Sequence, residues 1–294
     1  MTIEPRPPPL QLVARLRRAL GGGAGWGGFA LQILFVAALV WIGYEIVANA
    51  RANLESQRIT SGFGFLSNTA GFDVSQNLIP YSGSDSYTRV FWVGLLNTLL
   101  VAIIGIFFAT VIGFLVGLGR LSKSRLLNIP LIGFIEAFRC TPLLVQIVWF
   151  YYALPVLLGI QIPAVAAAVM TLSLYTAAFY AEIFRGGIVS IEQGQWDAAR
   201  ALGLSRWNMM RKVILPQATR RMIPPFVNQS ITQLKNTSLV STIAVPDLLY
   251  QGTLITADTY RPLEVYTMIA VIYFFLLFPT TLLAQVYERR LAKA

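Results

Sequence analysis

Residues Gln193 to Pro216 read Q-G-Q-W-D-A-A-R-A-L-G-L-S-R-W-N-M-M-R-K-V-I-L-P, a polar and basic stretch between long apolar runs. Its alanines predict a short helix from Gln195 to Leu202, because alanine has the highest helix propensity. Gly203 follows at the place where a left-handed residue commonly closes a helix. The stretch therefore begins with a helix and a glycine turn.

A second helix is predicted after this turn. Ser205 can cap its amino end, and the helix should run to about Leu215, because Pro216 lies where helices commonly stop. A helix–glycine–helix unit between apolar runs suits a protrusion that docks against something outside the bilayer, and we call residues 193–216 the knob. The alternative is an amphipathic hairpin that lies in the membrane interface without a partner.

The composition places the chain in a membrane. It is 56% hydrophobic and 12% charged, with a mean hydropathy of +0.63, whereas soluble domains carry about 25% charged residues. The apolar runs are long and continuous rather than alternating, which indicates helices rather than the strands of a barrel. We therefore predict an all-α integral membrane protein.

Six runs are long enough to cross about 30 Å of hydrocarbon. They are residues 29–48, 92–118, 131–158, 163–185, a more polar run that starts at the pair 220–221, and residues 263–284. Pro142 should kink or interrupt the third run, because proline removes a helical hydrogen bond. The predicted organisation is a tail (1–28), an extra span (29–48), an external loop (49–89), a five-span core (90–285) and a second tail (286–294).

Smaller features fit this organisation. Gly113 and Gly117 form a G-x-x-x-G pattern in the second run, which is compatible with close helix packing. Residues 245–255 predict a short external helix with Asp247 near its start, and Pro224 and Pro225 fit the first turn of the fifth span.

The basic residues indicate the orientation of the chain. Of the 23 Lys and Arg residues, 17 fall on the face that carries both tails and the knob, four fall on the opposite face, and the remaining two lie within spans. The positive-inside rule then places both termini and the knob in the cytoplasm. This topology, with anionic headgroups nearby, explains the net charge of +10 without nucleic acid as a partner.

The residue inventory excludes several activities. The 294 residues include no histidine and one cysteine, Cys140, so the commonest metal ligand and any internal disulfide are missing. There is no G-x-x-x-x-G-K-[ST] loop for nucleotide phosphates. We expect no catalytic residues and no metal site, and any energy input must come from another subunit.

Two polar stripes mark the fifth span. Gln229, Gln233 and Asn236 share one helix face at spacings of four and three residues. An adjacent stripe carries Asn228, Thr232 and Lys235. Together the stripes predict a wall of a hydrophilic translocation pathway, and the alternative is hydrogen bonding between helices.

Lys235 and Arg139 are the two basic residues within predicted spans. An ammonium at mid-bilayer costs on the order of 3 kcal/mol, so Lys235 is either a charge or gate along a substrate path or a lysine that reaches the outer interface. Arg139, with Thr141 and Gln146, is the second pathway candidate. The alternative for Arg139 is an ion pair with Glu136 or Glu182.

The knob resembles a known family. The order Asp197-Ala198-Ala199, Gly203 and Val213-Ile214-Leu215-Pro216 is similar to the "EAA" loop of importer-type ABC transporter permeases. The chain has Asp where the family has a leading Glu, and Val where Ile is usual. In that family the loop forms a coupling helix that fits a cleft on the cytoplasmic ATPase.

Three more segments narrow the resemblance to polar amino acid uptake permeases. Residues 138–146, F-R-C-T-P-L-L-V-Q, look like the segment "FRGTPLLVQ", with Cys140 replacing Gly. Residues 180–188 resemble "AEIxRGGI", and residues 234–239 resemble "LKxTSL". The four motifs cover about residues 88–285, while the extra span and the 49–89 loop look like the branch that imports a broad range of L-amino acids.

The resemblance implies a type I ABC importer permease core, bearing a cytoplasmic coupling helix, in a bacterial inner membrane. It implies ATPase coupling through Gln195, Asp197, Ala198, Ala199, Gly203, Leu215 and Pro216. It adds Thr237 and Ser238 to a pathway set of Arg139, Thr141, Gln146, Gln229, Gln233, Lys235 and Asn236.

The implied partners are a second permease subunit, a dimer of ATP-binding subunits that hold ATP and Mg, and an extracytoplasmic amino acid binding protein. The chain itself would hold no cofactor. The competing class is an ion-coupled amino acid carrier, which needs buried carboxylates or a cation site near mid-membrane. The 13 acidic residues instead lie outside the predicted spans or near their ends.

Overall fold

The computed structural model describes residues 26–56 and 62–291. Within these residues every named element is helical, apart from an isolated bridge between Thr69 and Ser86. The predicted all-α class is therefore confirmed. The chain divides into two units, residues 1–62 and 63–294, which are described separately.

The first unit contains one long helix, α1 (Trp26–Ser56), which includes the apolar stretch Ala30–Ala50. The helix begins before the predicted start at Phe29 and continues past Ala48 into the predicted external loop. Alanine, arginine, leucine and glutamate continue the helix there, because each has a high helix propensity and neither glycine nor proline intervenes. Most of the predicted tail, residues 1–25, lies outside the described residues.

The second unit holds the remaining helices. They are α2 (Tyr87–Gly119), α3 (Arg125–Cys140), α4 (Leu143–Val148), α5 (Leu154–Leu158), α6 (Ala164–Val189), α7 (Gln193–Ala201), α8 (Arg206–Met209), α9 (Leu215–Asn236), α10 (Leu248–Thr259) and α11 (Pro262–Leu291). Short 3-10 turns span Phe63–Ser67 and Thr237–Ile243, and π-helical turns span Trp149–Ala153 and Met210–Ile214.

Four described helices are long and apolar enough to cross a membrane, or five if the bent pair formed by α3 and residues Leu143–Leu158 counts as one span. The four are α1, α2, α6 and α11. The helix α9, predicted as the polar fifth span, is 22 residues long but is not among these apolar helices. Its polar side chains are the feature that singled it out in the sequence.

The helices α2 and α6 form the most extensive contact in the second unit. A Cβ placed on Gly113 would lie 2.6 Å from Tyr180 Cβ, and one on Gly117 would lie 2.7 Å from the Ala181 carbonyl oxygen. Real Cβ atoms do not approach other atoms so closely. The two glycines therefore allow the backbones to meet, as the G-x-x-x-G pattern predicts.

The chain turns sharply at Pro142. The helices on either side are bent by 106°, so the third predicted span is interrupted and starts earlier than residue 131. Gln146 stabilises the break, since its Nε2 donates to the carbonyls of Phe138 at 2.9 Å and Thr141 at 3.0 Å. A single buried amide thus satisfies two carbonyls near the end of α3.

The prediction that a helix stops at Pro216 is wrong. The chain passes from α8 through the π-helical turn Met210–Ile214 into α9, in which Pro216 occupies the first turn. The Leu215 N–H donates to the Met210 carbonyl five residues earlier. Proline has no N–H to donate, and a residue in the first turn of a helix needs none. The π-helical turn therefore lets the chain continue as α9 past Pro216. Pro224 and Pro225 consequently lie inside α9 rather than in its first turn.

The far end of the second unit is closed by residues 63–86 and α10. Phe65, Tyr87 and Leu248 belong to one buried apolar cluster, so this loop packs on the helix ends. The short helix predicted at residues 245–255 is confirmed as α10. Asp247 caps it, because its Oδ1 accepts the Tyr250 N–H at 2.8 Å.

Candidate functional site

The turn inside the knob has the predicted geometry. Gly203 adopts a φ of +68°, and its N–H donates to the Arg200 carbonyl at 2.9 Å. Ser205 caps α8 by accepting the Asn208 N–H at 3.4 Å. Nothing lies within 4 Å of a Cβ placed on Gly203, so backbone conformation alone selects glycine there.

The knob is held by its own apolar cluster. Ala199 is 1% exposed and packs with Met209 and Ile214 below α7. Gln195, Asp197 and Ala198 lie on the exposed side. Of the predicted coupling alanines, Ala198 therefore faces outward, and Ala199 anchors the helix.

Two exposed apolar side chains on the knob were not predicted as functional. Leu202 is 79% exposed and Trp207 is 70% exposed. They flank the Gly203 turn, and a large apolar residue inside a polar run is the signal that could have revealed them. Exposed tryptophan and leucine side chains beside polar groups are typical of a protein-binding surface.

Asp197 interacts within its own helix. Its Oδ1 accepts from Arg200 Nη2 at 2.8 Å and from Gln193 Nε2 at 3.2 Å. Both members of the ion pair are more than half exposed, so the pair contributes little to stability. The carboxylate remains accessible to a partner.

The base of the knob is tied to α9. Gln217 Nε2 donates to Gln195 Oε1 at 3.0 Å and to the Val213 carbonyl at 3.0 Å. Leu215 is half-buried and Pro216 is exposed at the same junction. The exposed face of α7 is thereby connected to the first turn of the polar helix.

The two polar stripes of α9 have different surroundings. The adjacent stripe of Asn228, Thr232 and Lys235 is exposed along its whole length. An exposed polar stripe on a helix among apolar spans is unfavourable against lipid. It therefore suits a water-filled space or the surface of another chain.

The stripe of Gln229, Gln233 and Asn236 is partly or fully buried. Gln229 lines a cleft, Asn236 is half-buried and Gln233 is fully buried. Neither polar atom of the Gln233 amide has a hydrogen-bond partner among the described residues. Leaving both groups of a buried amide unpaired is costly, so we expect a water molecule or a bound partner to satisfy it.

Arg139 does not form the ion pair considered from the sequence. Glu182 instead accepts from Arg185 Nη2 at 2.6 Å, and Arg120 Nε lies 3.8 Å from its other oxygen. The guanidinium carbon of Arg139 lies 5.4 Å from the centre of the Phe179 ring. Arg139 thus makes a cation–π contact in place of the ion pair considered as the alternative.

A cleft of about 520 Å³ lies between α3, α6 and α9, toward the knob. It brings together Arg139 and Gln229, two of the predicted pathway residues. Arg221, which the sequence interpretation counted only as part of the basic face, also lines it.

The other predicted pathway residues lie elsewhere. Thr141 and Gln146 line a separate pocket of about 200 Å³. Thr237 is buried and donates to the Leu234 carbonyl, while Ser238 donates to the Lys235 carbonyl. The predicted set therefore does not converge on one point.

Asp247 is a buried carboxyl at the end of the unit away from the knob. Its Oδ2 has no hydrogen-bond partner among the described residues, although Oδ1 caps α10. Burial raises the pKa of Asp247 to about 7 despite the backbone N–H groups that lower it. No group of three or more metal-ligating side chains occurs in the part of the chain that the structure describes.

Comparison with known proteins identifies the family. Residues 109–293 match the family of binding-protein-dependent transport system inner membrane components. The chain is 32% identical to the putative amino-acid ABC transporter permease protein YhdX of Escherichia coli K12, over 89% of this chain and 93% of the relative. It is 30% identical to the general L-amino acid transport system permease protein AapQ of Rhizobium johnstonii, over 89% and 91%.

A shorter relative and two solved structures agree. The glutamine transport system permease protein GlnP of Escherichia coli K12 is 40% identical over 66% of this chain and 89% of its own length. An amino acid ABC transporter crystallised with histidines is 36% identical, with a TM-score of 0.66 over 69% of this chain and 95% of that one. An inward-facing MetNI methionine ABC transporter, at 22% identity and a TM-score of 0.58 over 69% and 97%, is similar in fold.

These matches confirm the resemblance drawn from the knob and the three other segments. Permease subunits of this kind are not the ATP-hydrolysing chains of their transporters. The chain belongs to the family of binding-protein-dependent transport system inner membrane components and is an amino-acid-type ABC transporter permease.

Proposed function

We propose that this chain is the transmembrane subunit of an ATP-driven importer of polar L-amino acids in a bacterial inner membrane. Its core forms part of the translocation pathway, and its knob couples that pathway to a cytoplasmic ATPase. Both termini and the knob then lie in the cytoplasm, as the distribution of Lys and Arg predicts.

The observation that carries this proposal is the continuity between the knob and the polar helix. The chain runs without a break from α8 through the π-helical turn into α9, and the Gln217–Gln195 hydrogen bond closes the unit. A displacement of the knob by a partner would therefore be transmitted to the helix that carries the polar stripes. Coupling of this kind needs a rigid connection between the two sites.

Coupling is assigned to the exposed face of the knob. Gln195, Asp197 and Ala198 would contact the ATPase directly, with Leu202 and Trp207 as apolar anchors beside them. Ala199, Gly203, Leu215 and Pro216 would hold the shape of the knob. ATP and Mg would be bound by the ATPase dimer, and closure of that dimer would bring two knobs together.

We assign the pathway to two parts of the chain. One is the exposed stripe of α9, which we call the open stripe, and the other is the cleft. Asn228, Thr232 and Lys235 would face the space between this chain and a second, homologous permease subunit. Gln229 and Arg139 would line the cleft on the knob side, and Gln233 would contribute through bound water. Asn236, Thr237 and Ser238 would shape the end of the pathway away from the knob, and Thr141 and Gln146 would set the bend beside it.

The names of the relatives support the substrate class. YhdX and AapQ are named for amino acids, and their similarity extends over 89% of this chain, beyond the second unit alone. The broader assignment to L-amino acids in general rests on AapQ. An extracytoplasmic binding protein would deliver the substrate, and membrane headgroups would face the basic residues.

The test is uptake by proteoliposomes that contain this chain, its second permease, the ATPase and the binding protein. We expect uptake of radiolabelled L-amino acids that requires internal ATP and persists when proton and sodium gradients are collapsed. Uptake driven by an ion gradient without the ATPase would instead establish the carrier alternative. ATP-dependent uptake of some other solute class, with no amino acid transported, would contradict the substrate assignment.

A further inference from the structure

The cleft beside α6 carries a surplus of positive charge. Its wall includes the guanidinium groups of Arg139 and Arg221 and one carboxylate, Glu182. That carboxylate already accepts from Arg185 at 2.6 Å and lies 3.8 Å from Arg120. Glu182 also interacts electrostatically with Arg139, but one carboxylate cannot balance the charges of Arg120, Arg185, Arg139 and Arg221 together.

The Arg139 guanidinium contacts an aromatic ring, and its N–H groups form no hydrogen bond within the described residues. The Phe179 ring lies 5.4 Å from the guanidinium carbon, and a cation–π contact engages the charge of the group. The five N–H donors of arginine lie in the guanidinium plane and bind carboxylates in a fork. Among the described residues, Arg139 forms no ion pair. Its edge is thus available to an anion.

Two further groups face the same cleft. Arg221 donates through Nη1 to the Ser190 carbonyl, which fixes the side chain. Its other N–H groups have no hydrogen-bond partner among the described residues. Gln229 also lines the cleft, and its amide has no hydrogen-bond partner among the described residues. Fixed guanidinium groups and an amide around an open volume of about 520 Å³ are the donors that a carboxylate requires.

We propose that Arg139 and Arg221, with Gln229, form a subsite on the knob side of the pathway that binds the α-carboxylate of the transported amino acid. This inference rests on the proposed function. Because Glu182 is occupied by arginines, the cleft holds the carboxylate end of the substrate and not its ammonium group. Recognition of a group that all α-amino acids share leaves the side chain free to vary, which fits a broad substrate range.

The experiment uses the complete complex without ATP and without the binding protein. The probe is whichever of the twenty L-amino acids, assayed one by one in proteoliposomes, gives the highest ATP-dependent uptake with the wild type. The matched ligand is the amine that this amino acid yields on decarboxylation. Equilibrium binding of both ligands is measured for the wild type, Arg139→Gln, Arg221→Gln, the double variant and Arg139→Lys.

We expect the wild type to bind the amino acid at least tenfold more tightly than the amine. Each Arg→Gln variant should lower that ratio about tenfold or abolish it, with amine binding unchanged, and Arg139→Lys should retain part of it. Lys123→Gln, an exposed charge change outside the cleft, should leave the ratio at its wild-type value.

Equal losses of amino acid and amine binding in the arginine variants would overturn the subsite, as would a ratio that none of the variants changes. Loss of assembly in Arg139→Lys as well as Arg139→Gln would also overturn it, because the arginine would then serve protein contacts. Failure of the wild type to transport any amino acid is a separate result, since it refutes the proposed function itself.

Discussion

The side-chain amide of Gln217 donates to the side-chain oxygen of Gln195 at 3.0 Å, which joins α9 to the exposed face of α7. The two residues are 22 positions apart in the chain. Between them lie the Gly203 turn, α8 and the π-helical turn. The bond makes the knob a closed unit, and its removal should loosen the connection without unfolding the protein.

We expect Gln217→Ala and Gln195→Ala each to lower the number of amino acids transported per ATP about two- to fivefold. The bond between the two side chains contributes about 1 kcal/mol. Because either single variant already removes it, the double variant should be no worse than either one. Gln193→Ala is the control, because that amide bonds to Asp197 within the same helix. Strictly additive effects of the two variants would show that the residues act independently.

Gly203 should be required for its conformation rather than its size. Its φ of +68° suits Asn, which tolerates the left-handed region, and no neighbour would contact a new Cβ. We expect Gly203→Asn to keep amino-acid-stimulated ATPase activity. Gly203→Pro should abolish it, because proline fixes φ near −65° and lacks the N–H that bonds to Arg200.

The melting temperature of the membrane core should change little in either Gly203 variant, since the turn lies outside the spans. Wild-type stimulation in Gly203→Pro would contradict the coupling role of the knob. An equal loss in Gly203→Asn would show that the left-handed turn is not what the site requires.

Close packing between α2 and α6 predicts a strong effect of small substitutions. A Cβ on Gly113 would lie 2.9 Å from the Ala177 carbonyl oxygen as well as 2.6 Å from Tyr180 Cβ. Backbone cannot move aside cheaply, so Gly113→Ala should destabilise the protein by about 1–3 kcal/mol. Gly133 is a matched control, because it lies inside α3 with nothing within 4 Å of a Cβ.

Thermal unfolding of the purified protein in detergent checks this comparison. Gly133→Ala should be neutral or stabilise by up to about 1 kcal/mol through helix propensity. If Gly113→Ala melts at the wild-type temperature, the two helices are farther apart than described.

Local signals in the sequence predicted the parts of the site that local structure determines. Gly203 and Ser205 act on their own turn, so their roles were predictable from spacing. The partner of Arg139 was not, because Arg120 at the carboxyl end of α2 and Arg185 on α6 occupy Glu182 first. That competition depends on how three helices meet, which no spacing within one helix encodes.

The same limit applies to α9. Periodicity correctly places Gln229 and Gln233 on one face, yet it does not say that the first lines a cleft and the second is fully buried. The continuation of the helix past Pro216 was also missed, because a π-helical turn changes the hydrogen-bond pattern without changing the residue types. Depth and register come from packing between helices.

Asp247 should make stability depend on pH. Burial raises its pKa from 3.8 to about 7, so the folded protein binds the proton more tightly than the unfolded chain does. The stabilisation is fully present below about pH 4 and is lost as the pH rises through 7. A shift of this size corresponds to at most about 4 kcal/mol.

The expected result is a melting temperature that falls between pH 5 and pH 8 in the wild type and is flatter in Asp247→Asn. The chain has no histidine, which removes the side chain that most often titrates in this window. Asn can still cap α10, whereas Asp247→Ala should lose the bond to the Tyr250 N–H and melt lower than Asp247→Asn at every pH. Parallel pH profiles of the wild type and Asp247→Asn would contradict the assignment.

The open stripe of α9 should face water in the assembled transporter. Thr232 is exposed at its centre and donates through Oγ1 to the Asn228 carbonyl at 2.9 Å, yet an exposed polar stripe remains unfavourable against lipid. Cys140 is exposed, so the experiment starts from Cys140→Ser to remove its thiol. We expect Thr232→Cys to react with a membrane-impermeant maleimide at least tenfold faster than Phe275→Cys, which replaces a 69% exposed residue on the apolar helix α11.

Addition of a transported amino acid should slow the reaction at Thr232→Cys and leave that at Phe275→Cys unchanged, because only the former would line the substrate route. Two slow reactions would place the stripe against another protein chain rather than against water. In that case Asn228, Thr232 and Lys235 serve subunit assembly, and the cleft lined by Gln229 of the adjacent stripe and by Arg139 of α3 carries the proposed pathway.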